Sequence, residues 1–385
     1  MRKIIRLLTA AAAGILCIQA AQAETEAVSV RQLPEAVSPE WKQTYEAYGR
    51  TINVDLDIYI PEADAMPVLK VRKAEPVGEP LNSELAEAYT KADRADKGHY
   101  YSYETGDYTT IRLEHHFPVL YGTSKKKDNN PAVTSKDRDL AEYDADRAYA
   151  DNNPLTVREA ADIIRTHLKE VFPDVEIHLD TVTLYGKTYW RKSGKPVYDR
   201  GGYSLTFRQC FRGIPSMACI NDTYTDRTHT NLRGSWNTSE SGRVFGVAYD
   251  EESWFIAGRF YRETGTVLED VPIIPFDGVK NRAEALIESG HVRRIYSVSL
   301  GYVLFDTRNP EEYLLAPCWV IWCEYHPDGP LSEKTYGIND SELMFDGNNA
   351  YYRALVFDAQ TGEMFDVEDQ AADRFLYPGY DKANP

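Results

Sequence analysis

Val356-Phe-Asp-Ala-Gln-Thr-Gly-Glu-Met-Phe-Asp-Val367 (VFDAQTGEMFDV) sets three carboxylates, Asp358, Glu363 and Asp366, among apolar side chains. Either they form an acidic cluster for chemistry or they decorate a hairpin. Asp accepts hydrogen bonds from nearby backbone N–H groups and Gly takes positive φ freely, so Asp358-Ala-Gln-Thr-Gly362 is turn chemistry. Leu355 and Phe357 fall on one face of the incoming strand, Val356 and Asp358 on the other, and Met364 to Val367 return. Thr-Gly pairs recur at Thr105-Gly106 and Thr264-Gly265, where turns are also expected. A catalytic cluster has no reason to repeat in that way. The stretch predicts a hairpin tip with its carboxylates in water, carried by an antiparallel sheet.

The elements upstream agree. Leu314 to Cys323 is apolar on both faces, as a covered central strand is. Tyr296, Val298, Leu300, Tyr302 and Leu304 alternate along another strand. Val279, Ala283, Leu286 and Ile287 mark a helix, with Gly290 placed to cap it. The same order occurs earlier. Thr156-Val-Arg-Glu159 is a capping box, followed by apolar Val157, Ala161, Ile164, Leu168 and Val171 at helical spacing. Pro173 ends that helix, Val175, Ile177 and Leu179 alternate, and "GGYSLTFRQCFRGIP" gives a strand with Tyr203, Leu205 and Phe207 on one face. Arg212-Gly213 is its tight turn. Between the two units, "GRVFGVAYDEESWFIAGRFYRETGTV" reads as strands joined by turns at Asp250–Glu252 and Thr264-Gly265.

The predicted fold is α+β: antiparallel sheets with helices packed on one face. Two repeated helix-strand-strand-strand units, 155–270 and 271–370, follow a β-rich N-terminal region, 24–121, and precede a tail, 371–385. In the N-terminal region Ile52, Val54, Leu56, Ile58 and Ile60 alternate up to Pro61, "MPVLKVRKA" is extended, Leu81 to Asp93 is a short helix, and a hairpin turns at Thr105-Gly106. Residues 24–45 are an extended lead-in. Residues 122–154, dense in mixed charge and poor in large apolar side chains, are a charged loop or linker.

Residues 1–23 have the form of a cleaved signal peptide: Arg2, Lys3 and Arg6, an apolar run from Leu7 to Ile18, then Ala21-Gln-Ala23. That run is shorter than the ~20 apolar residues of a spanning helix, and no later segment is long and apolar enough, so the expected product is exported, extracellular or held in the cell envelope, with no membrane span. The formal net charge is −17 over 385 residues, which disfavours nucleic acid as a partner.

Four cysteines follow residue 23: Cys210, Cys219, Cys318 and Cys323. An even number in an exported chain fits two disulfides, with three connectivities open, and four reduced thiols are the alternative. Cys318 and Cys323 face opposite sides of one strand, ~16 Å apart, which argues against a bridge between them. Their spacings match no CxxC motif, so neither zinc nor thioredoxin-like chemistry is supported.

Chemistry-bearing constellations are weak. There is no H-E-x-x-H, G-x-S-x-G, P-loop or G-x-G-x-x-G. Glu114-His115-His116 is the most suggestive cluster, yet adjacent strand residues point to opposite faces and rarely share one ion. Asp144, Asp146 and Asp151 lack the Gly and closing Glu of a calcium loop. Asp250-Glu251-Glu252 beside Trp254 offers carboxylates next to an aromatic platform, which for a glycosidase would need a pair ~5–9 Å apart; a turn is the simpler reading. No metal or cofactor is called for.

Four pieces carry a resemblance: the helix Leu155–Val171 leading into strands, "YSLTFRQCFRGIP", "LAPCWVIWCEY" and "ALVFDAQTGEMFDV". Over roughly 155–370 they resemble the PepSY type of domain and the YycH- and YycI-like extracytoplasmic domains of Gram-positive bacteria. An exported family of Firmicutes fits the same residues. The resemblance implies a non-catalytic regulatory or interaction module outside the membrane, with a peptide, protein or cell-wall component as partner. The rival expectation is a secreted hydrolase of an extracellular carbohydrate or peptide polymer. A deep pocket with converging polar groups and a raised carboxyl pKa separates the two.

Overall fold

The structure, a computed structural model, describes residues 27–74, 101–104, 109–113, 119–123, 133–140, 142–190, 196–219, 243–251, 253–307, 309, 311–325 and 351–365. The segment expected to be an extended lead-in already begins the fold. A 3-10 turn at Val30–Gln32 runs into the four-residue helix α1 (Leu33–Ala36), with Val30 and Leu33 buried. Strand β1 (Glu40–Ala47) then pairs antiparallel with β2 (Arg50–Tyr59) through the turn Tyr48-Gly49. The alternation read at Ile52, Val54 and Ile58 is realised, each side chain being buried. The predicted helix 81–93 lies outside the described residues.

The remaining strands, in chain order, are β3 (Val68–Lys73), β4 (Tyr101–Glu104), β5 (Thr109–Leu113), β6 (Val119–Thr123), β7 (Val133–Asp139), β8 (Glu176–Trp190), β9 (Pro196–Phe211) and β10 (Ile214–Cys219). They continue with β11 (Arg243–Asp250), β12 (Ser253–Gly258), β13 (Tyr261–Leu268), β14 (Val292–Asp306), β15 (Tyr313–Tyr325) and β16 (Tyr351–Asp358). Two longer helices interrupt them, α2 (Val157–Val171) and α3 (Asp277–Glu288). The fold is α+β with one connected, curled sheet.

Both helices form for the reasons their spacing gives. Thr156 Oγ1 accepts the Glu159 N–H (3.2 Å) and Glu159 Oε2 accepts the Thr156 N–H (2.8 Å), closing the capping box. Val157, Ala161, Ile164, Leu168 and Val171 are all buried. At the end of α3 the Gly290 N–H reaches Ile287 O and the His291 N–H reaches Leu286 O, the paired bonds of a Schellman cap.

The sheet runs β13-β3-β15-β14-β10-β9-β11-β12-β6-β5-β4, with β2 and β16 branching from β14 and β15, and β7 from β8. It is mixed, not purely antiparallel as expected. β10 runs parallel to β14 (Ser216 opposite Tyr302), and β2 touches β14 in parallel (Ile58 opposite Val298). The cause is the turn at Arg212-Gly213. It sends β10 back along β9, whose direction leaves β10 parallel to β14 where the halves of the sheet join. Gly301 makes that join close: a Cβ there would lie 2.5 Å from Met217 Cγ and 2.8 Å from Pro215 O.

Among the described residues the buried side chains gather in two clusters. One gathers α2 with β8, β9, β11 and β12. The other gathers α1, β1–β3, the end of β9, β10, α3 and β13–β16. The N-terminal region is thus divided, β1–β3 going to the second cluster while β6 pairs with β12 beside the first. Nor is 122–154 a free linker. β7 pairs with β8 from Val133–Tyr189 to Asp139–Thr183, and the Tyr149 and Ala150 N–H groups donate to the buried Tyr203 hydroxyl. The charged side chains concealed a strand because backbone pairing at an edge asks little of side chains. Thr264-Gly265 is likewise no turn. It lies inside β13, where the register to β3 slips between Glu263 and Gly265, as in a bulge.

Candidate binding edge and cleft

β1 reads Glu40-Trp-Lys-Gln-Thr-Tyr-Glu-Ala47. Trp41, Tyr45 and Ala47 are buried, while Glu40, Lys42, Thr44 and Glu46 are exposed on the other face. Its register to β2 is unbroken, from Glu40–Asp57 to Ala47–Arg50. Among the described residues no backbone group pairs with its other edge. At the hairpin tip Tyr48 and Gly49 have φ of 51° and 72°, and Tyr48 is 51% exposed.

α3 holds this strand in place. Trp41 packs on Phe276 (centroids 5.5 Å apart), and Phe276 on Trp319 (5.4 Å). The Trp41 indole N–H donates to the Tyr45 hydroxyl (2.9 Å), which donates to Glu284 Oε1 (2.7 Å). Lys280 Nζ lies 3.6 Å from the same carboxylate and 5.8 Å from the Trp41 ring centroid. Burial first, and the Glu284 carboxylate second, hold the Tyr45 phenol well above its ordinary pKa, so it acts as a fixed donor.

Where β1 meets the start of α3 there is a cleft of about 290 Å³. Trp41, Phe276 and Ile58 are its apolar lining, and Glu40, Lys42, Asp277 and Lys280 its charged lining. Lys42 Nζ sits 2.7 Å from Glu40 Oε2 and 3.5 Å from Asp55 Oδ1, and the Glu40 hydrogen bond chiefly raises its pKa. Small-molecule pockets usually measure ~300–1,000 Å³. The cleft is at the lower bound, sized for a side chain or two.

Of the residues singled out in the sequence, Glu114, His115 and His116 fall outside the described residues. Asp250 and Glu251 form the β11–β12 turn as expected, Asp250 standing opposite Ser253. Trp254 is no exposed platform: it is 4% exposed and stacks on His167 of α2, centroids 3.8 Å apart and planes 10° apart. Asp146 pairs with Arg158, whose guanidinium lowers its pKa, so that loop is held by an ion pair. Among the described residues no group of three His, Cys, Asp or Glu is placed to hold a metal ion.

Of the two cysteine states open from the sequence, Cys210 and Cys318 take the reduced one, as buried free thiols. Cys318 stands opposite Gly301 and Asp358, and Cys210 opposite Pro215. Burial pushes the Cys210 thiol up to about 12 and Cys318 well above its ordinary value. Neither is a nucleophile at neutral pH.

Asp358 departs most from expectation. The hairpin is as predicted: Gly362 has φ 68°, its N–H reaches Asp358 O (2.8 Å), and the Gln360 N–H reaches Asp358 Oδ1 (2.7 Å). The carboxyl, however, is not in water. Asp358 is 7% exposed, because Ile274 and α3 cover the tip; the Ile274 N–H donates to Ala359 O (2.7 Å). Burial raises its pKa from 3.8 more than the Gln360 and Thr361 N–H groups lower it. The native state therefore holds this proton more tightly than the unfolded chain. The stability it contributes is full below 3.8 and is lost as pH rises through the higher native value. Asp358→Asn is expected to keep the Gln360 bond and abolish that loss, whereas Asp358→Ala loses about 1–2 kcal/mol at any pH. Urea melts at pH 4 and pH 8 decide it. A wild type whose stability rises across that range faster than that of the Asn variant contradicts the assignment.

β1 escaped the sequence reading because its alternation is short and Gln43 interrupts it. Tyr48-Gly49 also lacks the Asn-Gly signature of a two-residue hairpin.

No protein-family model matches this chain, and no curated protein matches it. A solved structure of an uncharacterized protein from Eubacterium rectale ATCC 33656 is similar over 87% of this chain and 97% of its own, with 17% identity and a TM-score of 0.48. Among the described residues, no helix is long and apolar enough to cross a membrane.

Proposed function

We propose that the chain is an exported, non-catalytic binding module of the cell envelope, one that captures an extended peptide segment along the outer edge of β1. The observation that carries this reading is the β1 edge beside the Trp41–Lys280 cleft, unpaired among the described residues. An edge strand offers a row of unsatisfied N–H and C=O groups, and an incoming strand satisfies them in a ladder. The cleft adds a place for one of its side chains. The raised carboxyl that an enzyme would call on, Asp358, is not among the residues lining the cleft, and its oxygen already accepts the Gln360 N–H. The two marks of a hydrolase therefore do not coincide.

Export rests on the signal-like residues 1–23. The two-unit repeat and PepSY-like character rest on a shared strand order: α2 precedes β8-β9-β11, and α3 precedes β14-β15-β16, neighbours in each case.

Successive residues of an antiparallel strand direct their hydrogen bonds to opposite sides. Of Gln43→Pro and Thr44→Pro, one breaks a β1–β2 bond and lowers stability, while the other removes an N–H from the free edge and leaves the melt nearly unchanged. Residues 24–385 are to be used as bait against the protein's own cell envelope. The wild type is expected to retain a polypeptide that the stable proline variant does not. Identical retention by both would sink the edge as the site.

A further inference from the structure

The outward face of the β1–β2 hairpin carries more acid than it can neutralise. Its exposed side chains are Glu40, Lys42, Thr44 and Glu46 on β1, opposite Asp57, Asp55, Asn53 and Thr51 on β2. One ammonium thus serves four carboxylates. Lys42 is already committed to Glu40 and Asp55. Glu40 faces Asp57 directly, a like-charge pair across the ladder. Glu46 accepts a hydrogen bond from Thr51 Oγ1 (2.8 Å), and among the described residues no cation forms an ion pair with Glu46 or Asp57. Thr44 is occupied by Asn53, its Oγ1 donating to Asn53 Oδ1 (2.9 Å).

A strand added to β1 would set its own outward side chains directly opposite Glu40, Lys42, Thr44 and Glu46, with Cβ atoms ~4.5–5.5 Å apart. Two of those positions take a further cation: Glu46, which has none among the described residues, and Glu40, which shares Lys42 with Asp55 and faces Asp57. The two between, Lys42 and Thr44, do not. Glu40 and Glu46 are six residues apart, and an even separation keeps both partners on one face of the ligand, whether it runs parallel or antiparallel. The other face of the ligand would lie over Trp41 and Tyr45, where apolar side chains fit. The chain's net charge of −17 draws a cationic segment in from a distance set by the salt.

Resting on the reading that β1 takes up a strand, we infer that the segment it selects is basic. It carries two Lys or Arg residues six positions apart, with uncharged residues between them on that face.

Three fluorescently labelled nonapeptides of Thr and Val test this, titrated against residues 24–385 by anisotropy. One has Lys at positions 2 and 8, the second Lys at 2 and 7, the third Glu at 2 and 8. The first is expected to bind about three- to tenfold more tightly than the second, from two cross-strand charge pairs against one. It should weaken with added salt, and Glu46→Lys should remove its advantage. Equal binding of all three overturns the charge spacing and leaves strand capture standing. Equal binding of the two Lys peptides, above the Glu peptide, also overturns the spacing. No binding of any peptide overturns the spacing and the capture reading together.

Discussion

Trp319→Ala is expected to lower the unfolding free energy by about 3–5 kcal/mol, the range for deleting a fully buried large aromatic side chain. Trp319 is 0% exposed at the centre of β15, against Phe276. Its indole N–H donates to Ile274 O (2.8 Å), the Ile274 N–H to Ala359 O, and the Ala359 N–H to Pro317 O. The residue therefore ties α3, the central strand and the terminal hairpin together. Trp319→Phe keeps most of the ring and loses the N–H, so a smaller loss of about 1–2 kcal/mol is expected. Denaturant melts give both values. A loss under about 1 kcal/mol for the alanine variant would contradict this packing.

Gly301→Ala adds one methyl group and should still remove about 2–3 kcal/mol, the upper range for overpacking. The new Cβ would meet Pro215 O at 2.8 Å and Met217 Cγ at 2.5 Å. A methionine side chain can turn aside, but a backbone carbonyl in a ladder cannot. The clash falls where β10 meets β14, inside the larger buried cluster, to which Met217 and Tyr302 both belong. Gly265→Ala is the control. Nothing lies within 4 Å of its Cβ position, and its effect should stay within about 0.5 kcal/mol. Equal effects from the two substitutions would overturn the close approach at Gly301.

Much of the framework was legible because it is local. The capping box at Thr156, the stripe from Val157 to Val171, the alternation of Val298, Leu300 and Tyr302, and the doubly apolar Leu314–Cys323 each encode an element within a few residues. The turn at Asp358–Gly362 was legible for the same reason. The candidate site was not. Trp41 lies in a short strand whose alternation Gln43 interrupts, and Lys280 is a half-buried residue of a helix more than two hundred residues away; only packing brings them within reach. Trp254 shows the converse. Beside three acidic residues it looks like a surface platform, yet a buried Trp under a helix and an exposed one have the same neighbours in sequence.

By itself the sequence determined the two long helices, the strands around them and where several of them turn, but not β1 or β7, since periodicity, caps and turn residues act over four to ten positions. Tertiary structure alone decided three other things. β10 joins β14 in parallel where a residue without a Cβ, Gly301, lets Pro215 O and Met217 come close. Asp358 is dry because Ile274 and α3 close over a hairpin whose local chemistry suits water equally well. Among the described residues β1 keeps an open edge, because strand pairing joins residues by backbone bonds that no local pattern of side chains records.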